Sequence, residues 1–108
     1  MGQTSHSSPA LVNNTLYLGI DTCLVAVDAL TQATLWSFPT GDRIESSPAV
    51  VGNTVYIGSN DGKIYAVDAT TGQELWDIVT GDKVTSSPAI ANGVLYVGSS
   101  DGKLYAIK

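Results

Sequence analysis

The chain has 108 residues, 44% of them hydrophobic, with ten acidic and five basic side chains for a net charge of −5. This length supports one packed unit with its own core, and the sign of the charge repels phosphate backbones and anionic lipid surfaces, which argues against nucleic acid and membrane partners. The lone Cys23 excludes an internal disulfide and a multi-cysteine metal site; no apolar stretch approaches the ~18 residues of a spanning helix, and the opening Met1-Gly2-Gln3-Thr4-Ser5-His6 lacks the basic and apolar regions of a signal peptide.

From the N-terminus, Ser7-Ser8-Pro9-Ala10 leads into a Tyr-x-Gly run ending at Gly19, then Ala26-Val27-Asp28, Leu35-Trp36 and Gly41. The same order returns from Ser46-Ser47-Pro48-Ala49 through Gly58, Ala66-Val67-Asp68 and Leu75-Trp76 to Gly81. A third start, Ser86-Ser87-Pro88-Ala89, runs through Gly98 to Ala106-Ile107-Lys108. A period near 40 residues marks stacked structural units of the propeller-blade kind.

Within the second copy, β-rich runs at Ser47 to Val51, Thr54 to Gly58, Lys63 to Asp68 and Glu74 to Val79 are separated by turn signals, which predicts four strands per unit. Asp61-Gly62 and Asp101-Gly102 sit between apolar residues as hairpin turns, and Thr71-Gly72 closes the next one. The strands are apolar at nearly every position, as in Val94-Leu95-Tyr96-Val97, so both faces of each small sheet need cover. Stacked blades supply that cover, whereas a sandwich would read as strict alternation and leave the repeat unexplained. The first copy departs from the pattern: Gln32 stands where Gly72 stands, Val25 replaces Tyr65, and one residue is lost between Gly19 and Asp28. Asp21-Thr22 must then make that turn, and a less regular hairpin is expected there. Cys23, aligned with Lys63 and Lys103, is expected to be partly exposed.

The segment Ala66-Val67-Asp68-Ala69-Thr70-Thr71-Gly72-Gln73-Glu74-Leu75-Trp76 resembles the tryptophan-docking repeat of pyrroloquinoline-quinone (PQQ) type β-propellers, and the likeness extends over residues 1–108. That family includes quinoprotein alcohol dehydrogenases and the lipoprotein of the outer-membrane barrel-assembly machine. The resemblance implies an all-β, partial propeller of four-stranded antiparallel blades. About 2.75 of them are expected, with repeats near residues 3–41, 42–81 and 82–108 and strand content four, four and three. It also implies that Trp36 and Trp76 dock structurally between blades and that Asp28 and Asp68 accept turn amides.

The resembled dehydrogenases use PQQ, calcium, a catalytic aspartate and adjacent cysteines. This chain has no cysteine pair, and His6 near the terminus is its one imidazole. No catalytic residue, cofactor or metal site is therefore assigned. The reading is a scaffold for protein interaction or assembly, with part of a larger ring binding a small ligand in its central funnel as the alternative. Positions that differ between copies mark a candidate binding face at His6, Glu45 and Thr85, which the resemblance places at the channel mouth. An open edge on the third blade points to self-association or to a longer ring. The family's company suggests the periplasm or cell surface.

Overall fold

The computed structural model describes residues 9–85 and 87–107. Eleven strands follow in order: β1 (Ala10–Val12), β2 (Thr15–Ile20), β3 (Cys23–Asp28), β4 (Thr34–Pro39), β5 (Ala49–Val51), β6 (Thr54–Gly58), β7 (Lys63–Asp68), β8 (Glu74–Val79), β9 (Ala89–Ala91), β10 (Val94–Gly98) and β11 (Leu104–Ile107). They form three antiparallel meanders, β1 to β4, β5 to β8 and β9 to β11. The four-stranded blade and the four, four and three strand content match the sequence-based expectation.

Three of the four runs expected in the second copy coincide with β6, β7 and β8. The first begins two residues later, at Ala49, for a physical reason: Pro48 has no N–H to give a ladder, and the Ser47 N–H donates to Ser87 Oγ at 2.8 Å in the next blade. The turn at Asp21-Thr22 corrects the expectation of irregularity. β2 and β3 pair continuously from Thr15↔Asp28 to Ile20↔Cys23, with Asp21 at φ 54°. In the second blade the equivalent ladder stops at Gly58↔Ile64. Loss of one residue converts a five-residue loop into a two-residue hairpin, which lengthens the ladder. Gln32 takes up the left-handed φ of 65° that Gly72 holds at 78°, so that turn survives without glycine.

Strand pleating gives each blade two faces. The face toward the following blade carries Tyr17, Leu24, Ala26, Trp36 and Phe38 in blade 1, and Tyr56, Ile64, Ala66 and Trp76 in blade 2. The opposite face carries Val55, Ile57, Tyr65 and Val67 in blade 2, and Leu95, Val97, Tyr105 and Ile107 in blade 3. One apolar cluster joins blades 1 and 2 and a second joins blades 2 and 3. Ile44 and Val84, in the connections between blades, wedge into these clusters and are buried.

Candidate functional site

Each outer hairpin is built by an aspartate. Asp28 Oδ1 accepts the amides of Leu30 (2.8 Å) and Thr31 (3.1 Å), and Asp68 Oδ1 accepts those of Thr70 (2.8 Å) and Thr71 (3.0 Å). The backbone donors, with Thr31 dominant for Asp28 and Thr71 for Asp68, hold both carboxyls below the usual range. The Asp68 turn ends on Gly72, and a β-carbon there would stand 2.6 Å from the Trp36 indole. Bare backbone lets the indole of blade 1 lie flat against the turn of blade 2.

A bulge between Ala26 and Val27, repeated between Ala66 and Val67, turns Leu35 and Leu75 outward and aims the neighbouring tryptophans along the seam. Trp36 Nε1 then donates to the Ala69 carbonyl at 2.9 Å, and Tyr17 Oη reaches the same oxygen at 3.4 Å. Phe38 meets Tyr65 edge to face, with ring centroids 5.3 Å apart. Trp76 holds the equivalent place in blade 2, 5.8 Å from Tyr56.

At the other end of each blade, the connection is clamped between two hairpins. Thr40 N–H donates to the Thr22 carbonyl at 2.8 Å, and Ile44 N–H donates to that of Asp21 at 2.8 Å. From the next blade, Asp61 Oδ2 accepts the Gly41 N–H at 2.9 Å and the Tyr65 hydroxyl. The clamp repeats as Asp101 Oδ2 with the Gly81 N–H at 2.9 Å and the Tyr105 hydroxyl at 2.8 Å. Partial burial would raise the Asp101 carboxyl, but the Tyr105 hydroxyl and the Gly81 and Lys103 amides outweigh it and hold it low. Burial and then the bond to Asp61 push the Tyr65 phenol well above 10.0. By residue type and spacing Asp61 and Asp101 read only as turn residues. The available signal was the shared pattern Ser-x-Asp-Gly-Lys-x-Tyr at 59–65 and 99–105.

Glu45 is half-buried between the buried Ile44 and Ser46, and Thr85 is exposed beside the buried Val84. The Ser47 to Ser87 hydrogen bond sets these two connections side by side. His6 lies outside the described residues. Near this end a polar cleft of about 220 Å³ is lined by Asn60, Asp61, Gly62, Thr80, Gly81, Asp82 and Lys83. Among the described residues no group of three or more His, Cys, Asp or Glu side chains could hold a metal ion. Cys23 is half-buried as a free thiol, with Thr22 Oγ1 3.9 Å from its sulfur.

The family model described as outer membrane protein assembly factor BamB matches residues 20–108. Among solved structures, BamB from Moraxella catarrhalis superposes with a TM-score of 0.87 at 23% identity, covering 99% of this chain and 34% of that one. Quinohemoprotein alcohol dehydrogenase from Comamonas testosteroni superposes with a TM-score of 0.83 at 22% identity, covering 95% of this chain and 19% of that one. The computationally designed Ika4 protein superposes with a TM-score of 0.78 at 24% identity, covering 93% of this chain and 64% of that one. At these identities the structural likeness shows the fold alone, and the chain spans about a third of the length of the Moraxella protein. No curated protein matches the sequence.

Proposed function

This chain belongs to the family of the outer membrane protein assembly factor BamB, and from that membership we propose that it is a non-catalytic propeller scaffold that binds other polypeptides, copies of itself included. One observation carries this reading. The face of blade 3 that would meet a following blade presents Tyr96, Leu104 and Ala106, all exposed, with Leu104 70% accessible. Their repeat equivalents Leu24, Ala26, Ile64 and Ala66 are 0% accessible, and Tyr17 is 6%. The same chemistry is thus buried twice within the chain and open once. Blade 1 carries the complementary surface, since Leu16, Leu18, Val25 and Val27 occupy the positions of Val55, Ile57, Tyr65 and Val67. A second copy stacked blade 1 on blade 3 repeats the packing mode already present at the two internal seams, a heterologous head-to-tail contact.

Support for a non-catalytic role comes from the polar groups at the connections. Asp61, Asp101, Ser59 and Thr80 spend their side chains on backbone amides, backbone carbonyls and the hydroxyls of neighbouring residues. That is the chemistry of loop fixation. Glu45 and Thr85, free to differ between copies, are the proposed variable contacts, and Trp36 and Trp76 are the proposed structural docking residues. A periplasmic or cell-surface setting is proposed from family membership.

Chemical cross-linking tests the stacking. With a Cys23→Ser background, Leu104→Cys and Val25→Cys single variants are mixed and treated with a short bis-maleimide. The expected product is a mixed dimer that neither variant forms alone. Equal yields from each variant by itself would contradict head-to-tail stacking.

A further inference from the structure

We propose that Asn92 is a site of covalent self-modification: the Gly93 backbone nitrogen attacks its side-chain carbonyl carbon to form a succinimide, which water opens to aspartate or isoaspartate. Three conditions must meet at one place. The amide carbon must be open to attack, the following backbone N–H must be free to give up its proton, and no β-carbon may crowd that nitrogen. Asparagine stands at positions 13, 14, 53, 60 and 92, and only Asn92 is followed by glycine. Asn92 and Gly93 form the two-residue turn between β9 and β10, at φ 53° and 76°. Both are exposed, and a β-carbon at Gly93 would meet nothing within 4 Å. Among the described residues neither the Asn92 side chain nor the Gly93 N–H has a hydrogen-bond partner.

Every other candidate fails a condition. Asn13 and Asn14 make the exposed turn of blade 1, but the residues that follow them, Asn14 and Thr15, carry side chains beside the nitrogen. Asn53 is followed by Thr54 and its amide is tied down: Nδ2 donates to Asp68 Oδ1 at 3.2 Å, and Oδ1 accepts the Thr70 hydroxyl at 2.9 Å. Asn60 Oδ1 is buried, and the Asp61 N–H after it donates to Ser59 Oγ at 3.3 Å. Asp61-Gly62 and Asp101-Gly102 have the glycine, yet the Gly62 and Gly102 N–H groups donate to the Ser59 and Ser99 carbonyls at 3.2 and 3.1 Å. Their carboxylates also accept the Lys63 and Lys103 amides at 2.9 and 2.8 Å.

The reaction consumes only water. A bond forms from Gly93 N to Asn92 Cγ, the Cγ–Nδ2 bond breaks, and the amide leaves as ammonia carrying the Gly93 proton. Water then splits one of the two ring C–N bonds at Gly93 N. Opening at Cγ gives aspartate with the main chain unchanged, whereas opening at the Asn92 backbone carbonyl gives isoaspartate, whose main chain runs through Cβ and is one atom longer. Either product takes the net charge from −5 to −6. Isoaspartate alone disturbs the hairpin. β9 is held to β10 by the pairs Val94↔Ala91, Leu95↔Ile90 and Tyr96↔Ala89, and an extra main-chain atom in a two-residue turn shifts that register.

The test holds the full folded chain in mildly alkaline buffer and follows each asparagine by peptide mapping, with enzymatic methylation marking isoaspartate. Conversion at Asn92 should outrun that at each other asparagine by at least about tenfold, since a small added barrier at the nitrogen is enough for that factor. The rate should rise with pH, because the deprotonated amide nitrogen is the attacking species. Gly93→Asn rebuilds the Asn13-Asn14 turn of blade 1, whose φ values of 50° and 65° are the same left-handed pair. It should slow the loss of Asn92 at least about tenfold and leave the circular dichroism spectrum unchanged. The isoaspartyl form should lose the nuclear Overhauser contacts between Ala89 and Tyr96, and Asn92→Asp should keep them. Conversion at Asn92 no faster than at Asn53 or Asn60, or a rate that Gly93→Asn leaves unchanged, overturns the assignment. Equal loss of the contacts in Asn92→Asp overturns the role given to the added main-chain atom.

Discussion

Truncating Trp36 should cost more than truncating Trp76, although the two residues occupy the same place in the repeat. Removing a large buried aromatic side chain costs about 3 to 5 kcal/mol, and both indoles are half-buried against an apolar cluster, which sets each near or below the lower end. Trp36 also has the bond to the Ala69 carbonyl at 2.9 Å and the cover of Gly72. Such a hydrogen bond contributes about 1 kcal/mol net, and the carbonyl is left with only the longer Tyr17 contact once the indole is gone. Trp36→Ala is therefore placed at about 3 kcal/mol and Trp76→Ala about 1 kcal/mol lower. Urea unfolding followed by far-ultraviolet circular dichroism measures both, and the remaining tryptophan gives a second signal for each variant. A Gly72→Ala change adds an internal check: it should destabilise the parent and cost less in the Trp36→Ala background, because its clash partner is absent. A Trp76→Ala loss equal to or larger than that of Trp36→Ala would refute the docking geometry.

Gly58→Ala should destabilise by about 1 to 3 kcal/mol, since its β-carbon would stand 2.2 Å from Val84 Cγ1; Val84→Ala in the same chain should recover part of the loss in the same unfolding assay. Stability should fall with acid below about pH 3.8, the ordinary value that the folded carboxyls of Asp28, Asp68 and Asp101 lie under. In that window the unfolded chain binds more protons, so stability rises with pH. Asp68→Asn should lower stability at neutral pH and flatten the acid slope. At the alkaline end the sign reverses. Tyr65 is held above 10.0, so its contribution is present below pH 10 and lost as pH rises through the folded value. Absorbance titration at 295 nm should show a late phase that Tyr65→Phe reduces, the Tyr105 phenol, raised by its bond to Asp101, supplying the remainder.

The fold was readable because the repeat and the strand period agree. Tyr-x-Gly, Asp-Gly and Leu-Trp each recur at the same place in the unit, and three of the second copy's four strands need no adjustment. The seam chemistry was half readable. Trp36 and Gly72 announce themselves by residue type, but nothing in the composition of Ala69 says that its carbonyl receives an indole, because a backbone acceptor leaves no mark in sequence. The Asp61 and Asp101 clamps were hidden for a related reason: the partner is the amide of Gly41 or Gly81, twenty residues earlier and in the preceding connection. The first hairpin misled because a deletion reads as damage. In the structure Asp21 at φ 54° makes the tighter turn.

Sedimentation velocity over a hundredfold range of concentration addresses the central claim, that exposed blade faces make this chain a self-complementary scaffold. The unmodified chain should form species at integer multiples of its 11.2 kDa mass as concentration rises. Leu104→Lys and Leu18→Lys, each placing a charge on one of the two terminal blade faces, should both stay monomeric while retaining the circular dichroism of the parent. A single 11.2 kDa species for the unmodified chain at every concentration would contradict the account.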